Sequence, residues 1–371
     1  MVKLPRSWLV SILLKSPNYS PTSLRFIHNT KEGSVIGNNE QTVEQQRLLK
    51  VAIIGVPNAG KSTLINMIMQ RNVLPTSKKV HTTRSKARAI LVQNQTQIVF
   101  LDTPGLVNSE EISKHNLEKT FTNDSLCAID EADTFGVLHD VSNRYTRSCL
   151  DPKVLRLLHL YPDKDSFLIL NKIDTFRSRR TLLDLANTLT CKKLKENCAS
   201  ETNRLSNNIS EIQLNAKIKD SVGWEKFKDV FMVSALTGDG VQDIKDYLLH
   251  NSKPSAWMFP EGTLTDKQDT DLILEVVKSK LLNYLPNEVP YNLQIELEYF
   301  ELSSDGNMHI VVLIGCSTLR IEKLVIGNKG SRIRKIAREA EQNLRDVFFT
   351  DVFLKLVVNE KHKTLESANA F

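Results

Sequence analysis

The hydrophobic pattern divides the chain into two regions with different rhythms. An apolar run, Leu48, Leu49, Val51, Ala52, Ile53 and Ile54, reads as a buried strand. Leu64, Ile65, Ile68 and Met69 then recur at helical spacing. Residues 87–92 and 96–101 read as a strand pair about a turn at Gln93-Asn94-Gln95. Further strands fall at 135–141, 167–170 and 230–233, with room for helices between them. Strands alternating with helices predict a mostly parallel sheet covered on both faces. Pro254 and Pro260 bound a hinge. Beyond it a helix with an acidic first turn starts at Asp269 and should end near Tyr284, ahead of Pro286. Residues 292–300 and 308–314 alternate at period two around Ser304-Asp305-Gly306-Asn307, a β-hairpin. Ile333, Ile336, Ala337, Ala340 and Leu344 form the apolar stripe of a later helix, and Val352, Leu354, Leu356 and Val358 supply a last strand. The expected organisation is a leader and linker over 1–45, an α/β domain over 46–252, a linker over 253–268 and an α+β domain over 269–371.

Composition changes this picture little. The chain has 371 residues, 41% hydrophobic and 25% charged, with a formal net charge of +6. That is globular, and basic enough to permit an anionic partner without demanding one. Five cysteines without a C-x-x-C pair argue against a disulfide framework or a zinc site, and fit a reducing compartment. No apolar run approaches the ~20 residues that span a bilayer.

The leader is distinctive. It has no acidic residue before Glu32, but carries Lys3, Arg6, Lys15, Arg25 and Lys31, interleaved with Ser7, Ser11, Ser16, Ser20 and Ser23. Such composition is that of a mitochondrial transit peptide. A secretory signal is the rival, because an apolar stretch follows Arg6, but no A-x-A-like cleavage site comes after it. A plain basic tail is the third reading.

The chemistry begins at Gly55-Val56-Pro57-Asn58-Ala59-Gly60-Lys61-Ser62, a G-x-x-x-x-G-K-S loop between strand and helix. Its glycines let backbone N–H groups turn inward toward phosphate oxygens, with Gly55, Asn58, Ala59, Gly60 and Thr63 as lining. Lys61 would reach the β and γ phosphates and the Ser62 hydroxyl would ligate Mg²⁺. The helix N-terminus adds its positive dipole. Thr82 or Thr83, in the polar stretch 78–84, would reach Mg²⁺ and the γ phosphate and let go after hydrolysis. Asp102 ends a strand and would hold Mg²⁺ through water, while Gly105 offers its N–H to the γ phosphate. The metal set is therefore Ser62, Thr83 and Asp102, and the catalytic set Lys61, Thr83 and Gly105.

Asn171-Lys172-Ile173-Asp174 follows a buried strand and would select guanine. Asp174 accepts from guanine N1–H and the 2-amino group, which adenine cannot offer. Asn171 supports the loop, and the Lys172 stem lies along the purine. Ser234-Ala235-Leu236 ends the last strand, where backbone N–H groups would meet O6. These five elements, in this order, resemble a GTPase of the translation-factor-related P-loop class, with GTP or GDP and Mg²⁺ as ligands. An insertion over 177–228 should be helix followed by a polar surface excursion at 192–208.

In the second domain, Gly327-Asn328-Lys329-Gly330 is a G-x-x-G between helices, the backbone clamp of KH domains on single-stranded nucleic acid. Lys329 adds charge, and Arg332, Arg334, Lys335 and Arg338 continue a basic face. The order helix–strand–strand–helix–helix–strand predicts a type II KH domain.

A GTPase followed by such a domain resembles the Era family in its mitochondrial form. GVPNAGKSTLIN, HTTR, LDTPG, NKID and VIGNKGSRIRKIAREA carry the resemblance. His81 and the enlarged insertion before Ser234 are departures. The resemblance implies binding to the 3′ region of small-subunit ribosomal RNA, here that of the mitochondrial ribosome, and assistance in assembling that subunit. It implies a matrix protein, monomeric when free, with peripheral association at the inner membrane, for which the sequence shows no anchor. Many GTPases place a water-orienting glutamine after D-x-x-G; here Leu106 stands there, so intrinsic hydrolysis should be slow. In GTPases whose loop reads G-x-P-N-x-G-K-S the asparagine often binds K⁺, which makes Asn58 the K⁺ candidate; the alternative is that it only stabilises its own loop. Two other functions stay open: a switch acting on protein or membrane partners, and a constitutive RNA binder with a vestigial nucleotide site.

Overall fold

A computed structural model describes residues 46–76, 87–102, 129–176, 178–191, 217–219, 221–286 and 288–360. The expectations for the leader over 1–45, for His81, Thr82 and Thr83, for Gly105 and Leu106, and for the excursion at 192–208 lie outside the described residues. So does the side chain of Asp102.

The first domain is built on β1 (Arg47–Ile54), β2 (Ala87–Gln93), β3 (Thr96–Asp102), β4 (Thr134–Asp140), β5 (Asp165–Asn171) and β6 (Phe227–Val233), in spatial order β2-β3-β1-β4-β5-β6. β1 runs parallel to β3 and β4, β4 to β5 and β5 to β6; only β2 pairs antiparallel on this path. Two apolar layers flank the sheet. One holds Ile53, Phe100 and Phe167 against α1 (Lys61–Met69) and α4 (Val241–His250). The other holds Ile54, Phe135 and Leu168 against α2 (Pro152–Leu160) and α3 (Arg179–Leu189). Because both faces are covered, the central strands are apolar without alternation, which is why they read as runs. α2 is started by its own sequence: Asp151 accepts from the Lys153 N–H at 2.9 Å and Pro152 takes the first helical position.

The segment 253–268, expected as a linker with a hinge between Pro254 and Pro260, is tied down along the sheet. β7 (Lys253–Pro254) pairs antiparallel with the start of β1. Buried Gln97 then accepts from the N–H groups of Met258 (2.9 Å) and Phe259 (3.1 Å) and donates to Phe259 O (2.8 Å). Farther on, Ile90 N–H donates to Leu264 O, and Arg88 pairs with Asp266 at 3.2 Å. The prolines suggested a break. A glutamine amide buried far away in sequence supplies the partners that make it a strap.

The second domain has α5 (Asp269–Tyr284), β8 (Gln294–Leu302), β9 (Met308–Cys316), α6 (Leu319–Ile326), α7 (Ser331–Phe348) and β10 (Val352–Glu360), in the expected order. Its sheet is β10-β9-β8, parallel between β9 and β10 and antiparallel between β8 and β9. One face packs on the helices: Met308, Ile310, Val312 and Ile314 meet Ile273, Val277, Ile336 and Leu344. No helix among the described residues is long and apolar enough to cross a membrane.

Candidate functional site

The loop after β1 stands at the carboxyl edge of the sheet, where β1 lies between β3 and β4 and the connections diverge to opposite sides. Such a switch point is where open α/β sheets bind ligands. Asn58 (φ 60°) and Gly60 (φ 103°) both adopt left-handed backbone. At Gly60 a side chain is barred twice over, because an added Cβ would also lie 2.5 Å from Asn171 Nδ2. Lys61 is buried and folds over the loop, its Nζ donating to Gly55 O (3.0 Å) and Val56 O (3.1 Å). Ser62 and Thr63 follow in the first turn of α1. The Asp102 backbone sits one strand away, in register with Ile53.

Asn171 binds three loops together. It is 1% exposed; Nδ2 donates to Ala59 O at 2.8 Å, while Oδ1 accepts from Lys172 N–H at 2.8 Å and Ala235 N–H at 3.0 Å. The phosphate loop, the N-K-x-D turn and the S-A-L turn thus hang on one side chain. Asn171 supports all three loops. Among the N–H groups of the Ser234-Ala235-Leu236 turn, that of Ala235 is donated to Asn171. Buried Ser234 donates from Oγ to Asp174 Oδ1 at 2.7 Å, orienting an otherwise exposed carboxylate.

Lys172, with left-handed backbone (φ 68°), stretches back across the site. Its Nζ donates to Asn58 O at 3.0 Å and to Asp140 Oδ2 at 2.5 Å. Asp140 was not picked out from the sequence, although it ends β4 beside Asn171. Burial pushes its carboxyl up, but the bonds from Lys172 and Ser142 outweigh this and hold it below the usual carboxylate range. A carboxylate at the end of a buried strand was the available signal. Asn66 of α1 was also missed: it exchanges two bonds with the Leu74 backbone, at 2.7 and 2.8 Å, and so aims the chain leaving α1.

The second candidate site is the turn between α6 and α7. Gly327 (φ 72°, ψ 179°) adopts a conformation open essentially to glycine alone, and a Cβ there would meet Arg332 Cβ at 2.7 Å. Lys329 (φ 48°) and Asn328 are exposed at the tip, and Gly330 (φ 76°) caps α7. Two arginines expected on the binding face hook carbonyls of the turn, Arg332 half-buried and Arg334 exposed. Arg332 Nη1 donates to Leu324 O, and Arg334 donates to Gly330 O (3.2 Å) and Lys329 O. Leu324 O lies in the last turn of α6, where unpaired carbonyls attract a guanidinium group. Lys335 Nζ lies 5.0 Å over the Tyr284 ring, and Arg338 is exposed. Lys329 is presented at the tip, with the exposed Arg334 guanidinium beside it.

The chain just past α1 meets the end of α7. The Arg71 guanidinium lies 4.2 Å over the Phe349 ring, just past the end of α7, and Asn72 Nδ2 donates to Asp346 Oδ2 at 3.3 Å. These contacts border a groove of about 570 Å³ that also reaches Thr63 and Leu236. One helix therefore begins at the phosphate loop, and the chain leaving it meets the end of the helix that begins at the G-x-x-G turn.

Comparison with known proteins agrees with this two-part build. Residues 50–172 match the family model described as "50S ribosome-binding GTPase", and residues 288–364 match "KH domain". The chain is 36% identical over 355 residues to "GTPase Era, mitochondrial" of Salmo salar, covering 86% of this chain and 78% of the relative. It is 38% identical over 338 residues to the protein of the same name in Danio rerio, covering 85% and 76%. Its fold is that of a solved structure described as Era in complex with MgGDPNP and nucleotides 1506–1542 of 16S ribosomal RNA, at TM-score 0.64 and 23% identity, covering 86% of this chain and 95% of that one.

Proposed function

The chain belongs to the Era family of GTPases, and from that premise we propose that it is a GTP-switched RNA chaperone of the mitochondrial small ribosomal subunit. The observation that carries the reading is the Asn171 support, which joins the phosphate loop to both base-reading turns. A site so joined is organised for a whole nucleotide. The family's RNA partner points to the 3′ region of the small-subunit rRNA for the G-x-x-G turn, with Gly327, Asn328, Lys329 and Gly330 meeting the backbone and Lys335 and Arg338 flanking. The site of action is the mitochondrial matrix, with peripheral contact to the inner membrane.

Guanine selection rests on Asp174, an exposed residue held by Ser234 through one carboxylate oxygen. Lys61 and the loop N–H groups hold the phosphates. Ser62 opens α1 and Asp102 ends β3 beside β1; both offer hard oxygen donors, the chemistry Mg²⁺ takes, with Thr82 or Thr83 completing the set. When bound, Mg²⁺ neutralises charge on the β and γ phosphate oxygens. Gly105 serves the γ phosphate. Leu106 cannot orient water, so turnover is slow, and Asn58 recruits K⁺ to supply the missing charge. Faster turnover in K⁺ than in Na⁺ supports that role; equal rates remove it.

The chemical test exchanges the base-reading group. Asp174→Asn should cut GTP affinity by on the order of a hundred-fold and restore binding to xanthosine triphosphate, whose C2 carbonyl accepts where guanine donates. The cellular test is crosslinking and sequencing of bound RNA. Recovery of the small-subunit rRNA 3′ region is expected; enrichment of other RNA alone contradicts the assignment.

A further inference from the structure

The helical side of the second domain presents Lys329, Lys335 and Arg338, but the opposite side of its sheet has different chemistry. Residues of β9 alternate: Met308, Ile310 and Val312 go into the core, and His309, Val311 and Leu313 go to the open face. The register sets rows across that face. Glu301, His309 and Phe353 form one, and Tyr299, Val311 and Lys355 the next. The His309 and Phe353 rings stack at 5.0 Å and 12°. Tyr299 is 47% exposed and Phe353 49%, which is a large apolar area to leave in water twice on one small sheet. They line a groove of about 530 Å³. Glu301 and Glu341 line the groove with Lys355, and Glu296 and Glu298 are exposed farther along β8.

Carboxylates along an edge strand can serve to keep copies of a protein apart. Exposed rings beside them would not serve that purpose. Together they fit one kind of occupant. Carboxylates repel phosphate, so the face is wrong for RNA. Flat rings beside carboxylates suit guanidinium and ammonium groups, which stack on the one and pair with the other. We propose that this open face is a protein-docking surface for an extended, arginine- or lysine-rich segment of a partner. Basic side chains at alternate positions would match the spacing of the rows. The domain would then hold anionic RNA on its helical side and a basic polypeptide on its sheet side. This inference does not depend on the nucleotide reading.

The test uses the full chain and fluorescence anisotropy of a short labelled peptide alternating arginine and leucine. Controls are the same residues in two blocks, an alternating glutamate–leucine peptide, and oligouridine. The alternating basic peptide should bind best, and Phe353→Ser with Glu301→Gln should weaken it roughly ten-fold. Lys329→Glu should leave it unchanged. If Phe353→Ser does not fold, the charge-only pair Glu298→Gln and Glu301→Gln must still weaken the peptide about three-fold. Unchanged peptide affinity in these variants overturns the proposal. So does oligouridine binding that depends on Phe353, or a dimer of the chain that Phe353→Ser dissolves.

Discussion

The two candidate sites are both glycine turns that open onto a helix, yet they are held in opposite ways. The loop at Gly55–Ser62 is organised from inside the core, by Asn171 at 1% exposure and by buried Lys61. The turn at Gly327–Gly330 is organised from its own surface, by Arg332 and Arg334 hooking the carbonyls beside them. The difference follows from what each must read. A nucleotide site has to hold three separate turns around one ligand, which takes a polar group buried among them. A ribose-phosphate chain needs close approach and charge at the surface.

The sharpest way to break this comparison is Asn171→Ala. It strands Ala59 O, Lys172 N–H and Ala235 N–H, and should cost roughly 3 kcal/mol of stability together with GTP binding. Thermal unfolding and nucleotide titration read both losses. Gly327→Ala is next. Strain of about 1–3 kcal/mol at that φ and ψ should lower RNA affinity at least several-fold while GTP affinity holds. Its failure to act would mean the turn relaxes freely. Lys329→Glu should weaken RNA binding about ten-fold and reduce its salt dependence, again sparing GTP. The smallest effect is expected from Arg71→Ala, since an exposed cation–π contact contributes about 0.5–1 kcal/mol. Neither site is disturbed by it, so a changed difference in RNA affinity between nucleotide states would identify the contact between Arg71 and Phe349 as their link.

Much of this was legible in the chain because it depends on near neighbours. The glycine loops, the strand runs and the acidic start of α5 all declare themselves within a few residues. What stayed hidden depends on distant partners. Gln97 gives no local sign that it will hold Phe259, and so the stretch between Pro254 and Pro260 looked like a hinge. Asp140 gains its meaning from Lys172, and the Ala235 N–H is taken by a residue on another strand. Arg332 and Arg334 looked like ligand contacts because charge is visible in sequence and direction is not.

The central claim is that a nucleotide site braced from within governs a clamp braced at the surface. The direct measurement is the affinity of the full chain for the 3′ segment of mitochondrial small-subunit rRNA, with a non-hydrolysable GTP analogue and then with GDP. The account predicts a difference of about five-fold or more between the two states, abolished by Lys329→Glu. Equal affinity in the two states would contradict it.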